Sequence, residues 1–180
     1  MIYLLLFLTV SLIQDDERAY EIAKQEIEVA VQNFVNPESF IGIPPESYWR
    51  AAMLAGDMVL DFEPSRFIEG RYLFFSGMNS LNQADSGTAI SDFSRLLQVD
   101  PNEAALGYFG IGLVHSFNNE LDKAEEEFLK ASDAWPHWAR PYTELAGLYM
   151  AAGRFVEAET VLRQSLALTL SETAKGRQYL

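Results

Sequence analysis

The 180-residue chain contains no cysteine. Thiol nucleophiles, disulfides and Cys-ligated zinc are therefore excluded. Only two histidines are present, His115 and His137, so a histidine-rich metal site is not expected. Basic residues are also scarce. Lys and Arg number 13 against 26 Asp and Glu, a formal net charge of −13. No three basic residues are adjacent. Binding a phosphate backbone needs clustered positive charge, so nucleic acid is excluded as a partner. An acidic surface keeps a chain soluble and favours basic partners. A Gly-rich phosphate loop is missing too. "GYFGIG" at 107–112 lacks the spacing and lies in a helical pattern, not after a strand. No strand–turn–helix context offers a nucleophile elbow. No catalytic residue, metal ligand or cofactor is expected, and the chain reads as not an enzyme.

Long hydrophobic runs are lacking as well. Ile2 to Ile13 is twelve residues, interrupted by Thr9 and Ser11. A membrane-spanning helix needs about 20. Residues 1–14 read instead as a signal peptide or short apolar leader, with Thr9 and Ser11 as the small residues before a cleavage point. That reading places the protein outside the cytoplasm, in a periplasm or secreted. No Lys or Arg precedes the run, and two alternatives stay open: a first helix buried in a cytoplasmic fold, or an uncleaved membrane anchor.

What is present is an ordinary folding composition, 49% apolar and 22% charged. Residues 15–69 read as an N-terminal helical pair. The first helix, 15–35, has acidic Asp15, Asp16 and Glu17 in its first turn, where they suit the helix dipole. Its apolar stripe is Ala19, Ala23, Ile27, Ala30 and Phe34. "VNPESFIGIPP" breaks the pattern, and a second helix follows over 46–60.

From Gly70 onward one cycle recurs. Gly112, Ala124, Phe128, Ala131 and Pro136 stand at offsets 0, 12, 16, 19 and 24. Gly77, Ala89, Phe93, Leu96 and Pro101 stand at the same offsets 35 residues earlier. Ala146, Ala158, Leu162, Ser165 and Leu170 repeat them 34 residues later, with Tyr149 three after Ala146. A small residue at the first position lets two helices lie close. The later alanine serves the same contact from the other side. The phenylalanine fills the space between units, and proline stops the second helix. No unit can bury its apolar face alone, so the units must stack.

These residues resemble the tetratricopeptide repeat family, built from 34-residue helix–turn–helix units. The resemblance covers about 70–172: repeat 1 at 70–103, repeat 2 at 105–138, repeat 3 at 139–172. Residues 173–180 then read as the start of a capping helix, and 15–69 as a degenerate fourth unit closed by Pro64. The implied fold is an all-α right-handed solenoid. The first helix of each unit, helix A, lines the concave face in this family. Carried over, the partner-binding groove comprises Arg71, Phe74, Met78 and Asn82; Leu106, Phe109, Leu113 and Phe117; and Arg140, Thr143, Gly147 and Met150. Such a groove suits an apolar or extended peptide, with arginine reading a carboxylate. Some co-chaperones of the family clamp a peptide C-terminus with Lys and Asn on helix A. Those residues are absent here, which disfavours that role.

Other conspicuous residues read as structure. Glu125, Glu126 and Glu127 fan about 100° apart on a helix and do not converge. They read as a solvated face paired with Lys123 and Lys130. His115 reads as a packed, satisfied histidine. Trp135 and Trp138 of "WPHW" read as cover for the joint between repeats 2 and 3, with ligand stacking as the alternative. The expected function is a protein-interaction scaffold that binds a protein or peptide in the groove. A self-assembling structural component, using the groove and the open solenoid end, is the alternative.

Overall fold

A computed structural model describes residues 66–176, together with positions 22, 24, 25, 28 and 29, all five helical. The leader, the 46–60 helix and the remainder of the 15–35 helix lie outside the described residues. Within residues 66–176, six α-helices follow one another: α1 Arg66–Asn82, α2 Ser86–Val99, α3 Ala104–Phe117, α4 Leu121–Ala134, α5 Ala139–Ala151 and α6 Phe155–Gly176. A 3₁₀ turn, Pro101–Glu103, joins α2 to α3. No strand occurs among the described residues. The helices pair as three hairpins, α1–α2, α3–α4 and α5–α6, and each hairpin packs on its sequence neighbour. This is the stacked, all-α solenoid arrangement.

Each hairpin turns in the same way. Ala84, Asn119 and Gly153 have φ of 61°, 60° and 72°. They lie 35 and 34 residues apart, the spacing of the repeats. In each case the next N–H reaches back to close the helix: Asp85 to Ser80 O at 2.9 Å, Glu120 to His115 O at 2.8 Å, and Arg154 to Tyr149 O at 2.8 Å. This is the six-to-one closure of a Schellman turn. Glycine takes that conformation freely and asparagine tolerates it, whereas alanine pays a steric penalty. Asp85 then caps α2 by accepting from Thr88 N at 3.0 Å.

The core is built on aromatic side chains set against glycines. Phe93 of α2 is fully buried between two helices. A Cβ at Gly77 of α1 would stand 2.6 Å from its ring, and one at Gly110 of α3 would stand 2.5 Å away. Phe128 of α4 fits against Gly112 of α3 in the same way, at 2.6 Å, and Leu97 of α2 against Gly107, at 2.7 Å. "GYFGIG" is thus a helix whose glycines are sockets for the neighbouring helices α2 and α4. Phe109 links onward, 5.6 Å from Phe128 and 4.7 Å from Trp138 between ring centroids. Ala89, Ala124, Ala131, Ala146 and Ala158 are all buried.

Pro101 ends α2 and sets the turn into the next unit, as expected of the closing proline: it occupies the start of the 3₁₀ turn, which Asp100 caps by accepting from Asn102 N at 3.1 Å. One expectation needs correction. Residues 173–176 do not begin a new helix. They continue α6, because neither glycine nor proline interrupts 154–175 and Gly176 is the first breaker.

Candidate interaction surface

The expected groove residues divide sharply by exposure. Phe74 and Met78 on α1, and Leu106, Phe109 and Leu113 on α3, are at most 8% exposed. They are core residues and do not offer a docking wall, so the expectation of an open aromatic groove is corrected at these five positions. Phe74 faces Phe75 and Phe93, and Phe109 faces Phe128 and Trp138. Arg71 is half-buried and pairs with Glu103 of the 3₁₀ turn at 3.3 Å, bridging the first two hairpins. Arg140 is half-buried beside Glu144 on α5. Asn82, Phe117, Thr143, Gly147 and Met150 are exposed. Phe117 is 59% exposed at the end of α3 and Met150 is 50% exposed near the end of α5. Thr143 directs its hydroxyl to Ser165 of α6 at 2.8 Å, which satisfies that buried serine.

The acidic run has two separate fates. Glu126 and Glu127 both reach Lys130, at 2.8 and 2.7 Å, as the solvated pairing predicts. Their carboxylates push the Lys130 ammonium up, Glu126 first. Lys123 pairs with Glu120 instead, at 2.9 Å. Glu125 is the exception: it accepts from Arg154 at 2.7 Å and from the Tyr149 hydroxyl at 2.9 Å. The Arg154 guanidinium also lies 4.2 Å from the Tyr149 ring centroid. Glu125 therefore clasps the second hairpin to the third. Burial, and then the bond to Glu125, push the Tyr149 hydroxyl up.

His115 is half-buried, with its Nδ1 2.5 Å from Oε2 of Glu120 across the α3–α4 turn. Its partner is thus a carboxylate, in agreement with a satisfied histidine. The bond from Lys123, and then that from His115, hold Glu120 below the ordinary carboxylate range. Trp138 is 1% exposed against Phe109, and Trp135 lies 5.6 Å from it. "WPHW" therefore covers the joint between the second and third hairpins, and the buried Trp138 ring is not available to stack on a ligand. His137 is exposed beside it. Among the described residues, no three His, Cys, Asp or Glu are grouped to hold a metal, and no helix is long and apolar enough to cross a membrane.

Among the described residues, one exposed apolar face on α6 was not foreseen residue by residue. Phe155, Leu162, Leu166 and Leu170 stand out of α6 at 69%, 41%, 59% and 60% exposure. Phe155, Leu162 and Leu166, with Met150 and Ala158, line an open trough of about 300 Å³, flanked by Glu159 and Arg163. The signal was available in the spacing: i, i+7, i+11 and i+15 is one helix face.

Comparisons with known proteins agree on the architecture. A crystal structure of MamA superposes with a TM-score of 0.56 at 17% identity, covering 89% of this chain and 81% of that one. The MamA RS-1 ArsTM double mutant gives 0.53 at 19%, covering 94% and 84%. A second crystal structure of MamA gives 0.50 at 16%, covering 86% and 95%. At these identities the likeness is one of fold. No family model matches the chain, and no curated protein matches it in sequence. The chain has a tetratricopeptide-like fold.

Proposed function

We propose that the protein is a non-enzymatic interaction scaffold that binds a protein or peptide partner beside the ends of its A helices. One observation carries this reading: Phe117 projects 59% of its surface into solvent from a helix whose other aromatics are packed. A large exposed aromatic beside exposed polar neighbours is a common anchor at a partner-binding surface. Asn118 and Asn119 adjoin it, and Asn82 ends the preceding A helix at the matching position. The net charge of −13 favours a basic partner. We further propose, from the apolar run at 2–13 read as an export leader, a setting outside the cytoplasm.

The test is affinity capture from cells with the full chain as bait, read by mass spectrometry. Proteins retained by the wild type should be lost with Phe117→Glu, at unchanged helical circular dichroism. Equal retention by Phe117→Glu overturns the assignment. Phe109→Glu is not a usable probe, because that side chain is 1% exposed and a buried carboxylate would unfold the hairpin.

A further inference from the structure

The interior of the solenoid shows what a helix B face looks like when it is covered. Phe93 and Phe128 are 0% exposed. Phe93 is closed by the following hairpin, whose Gly110 backbone leaves room for its ring. Leu162 holds the same place in the third hairpin and is 41% exposed. Phe155, Leu166 and Leu170 extend the open face along α6. At 1.5 Å per residue this stripe runs about 24 Å. A monomer seldom leaves so continuous an apolar face in water.

The charges on that face select its occupant. Two copies of a chain with net charge −13 repel over most of their surfaces. The α6 stripe is an exception. It carries one acid and one base, Glu159 and Arg163, which pair on the same helix at 2.6 Å. A strongly basic or acidic partner helix would set a like charge against one of them. A second copy brings one of each. In an antiparallel two-fold arrangement, Glu-then-Arg on one copy runs against Arg-then-Glu on the other. Packing two such stripes buries on the order of 1,000 Å², the lower end for a specific interface.

We propose that two copies of this chain dock through α6, with Leu162 and Leu166 at the centre and Glu159 and Arg163 exchanging partners across the two-fold. The interface is weak and concentration-dependent, as its area requires. Its central residues, Leu162 and Leu166, are not those of the partner-binding proposal, which rests on Phe117, so each can fail alone.

Analytical ultracentrifugation of the full chain over a wide concentration series tests it. The wild type should move from monomer to twice that mass. Leu162→Glu with Leu166→Glu should weaken association more than ten-fold. Both positions are already exposed, so helical circular dichroism should be unchanged. Glu159→Arg alone and Arg163→Glu alone should each weaken the dimer. The two reversals together should restore it, because the self-complementary order is regained. A wild type that stays monomeric overturns the proposal. So does a dimer indifferent to the Leu162 and Leu166 changes, or a double reversal that fails to restore association. Capture by Phe117 is read independently in the same variants.

Discussion

Replacing glycine by alanine should have opposite signs at two helical positions in this protein. At Gly110 an added Cβ would stand 2.5 Å from Cδ1 and Cε1 of Phe93. Carbon atoms in contact sit about 3.5–4.0 Å apart, so the ring would have to retreat by about 1 Å. It has nowhere to go. Phe93 is 0% exposed, and the same ring atoms are already pressed against Gly77. Overpacking of a boxed ring costs about 2–3 kcal/mol, offset by about 1 kcal/mol of better helix propensity. The net loss is about 1–2 kcal/mol. At Gly147 on α5, nothing lies within 4 Å of the added carbon. There only the propensity counts, and the gain is about 1 kcal/mol. Thermal unfolding followed by circular dichroism should separate the two variants by about 5–10 °C, on the usual scale for a chain of this size. Adding Phe93→Leu to Gly110→Ala should return part of the loss, since the two changes share one space. If Gly110→Ala is as stable as the wild type, the socket argument is wrong.

Two further changes test the turns and the partly buried charge. Ala84→Gly should raise stability by about 1 kcal/mol in urea unfolding, because alanine at φ 61° carries a steric penalty that glycine avoids. Gly153→Ala, at φ 72°, should move the midpoint the other way. Burial pushes the Glu144 carboxyl up, and Arg140 opposes this by pulling it down. A raised acid holds its proton in the fold at a pH where the unfolded chain has lost it. Glu144 therefore destabilises increasingly as pH rises through the window between its unfolded and folded values. Glu144→Gln should raise the unfolding midpoint at neutral pH, and the difference should shrink as pH falls through that window.

The repeat was legible because it is written in packing residues. Ala89, Ala124 and Ala158 recur at 35 and 34 residues and are buried, since close-packed helices tolerate only a small side chain there. Phe93 and Phe128 were legible for the same reason. Exposure was less legible. Periodicity assigns a residue a place within a unit, but not which faces of the stack are covered. Phe74 and Phe109 therefore looked like groove walls and are core. The turn signal was hidden because alanine, asparagine and glycine serve one backbone conformation, so no residue type repeats. Glu125 looked like its neighbours Glu126 and Glu127. Only the arrival of Arg154 and Tyr149, 29 and 24 residues on, separates it from a solvated face.

The two joints of the solenoid are made by different means, and this explains where the chain departs from its own repeat. The first and second hairpins meet by backbone approach: Phe93 and Leu97 press into Gly110 and Gly107, so α3 carries glycines that a helix would otherwise avoid. Arg71 and Glu103, and Ser86 and Asn118 at 3.0 Å, tie the margins of that joint. The second and third hairpins meet through bulk and charge: Trp138 fills the gap over Phe109, and Glu125 holds Arg154 and Tyr149. No glycine is needed on α5 at that contact, and Gly147 faces open space instead. Beyond α6 neither device operates among the described residues. Leu162 stands where Phe93 and Phe128 stand, with no socket pressed onto it. A repeat protein depends on each unit being closed by the next, so the physical logic that buries two of these positions leaves the third as the natural place for association.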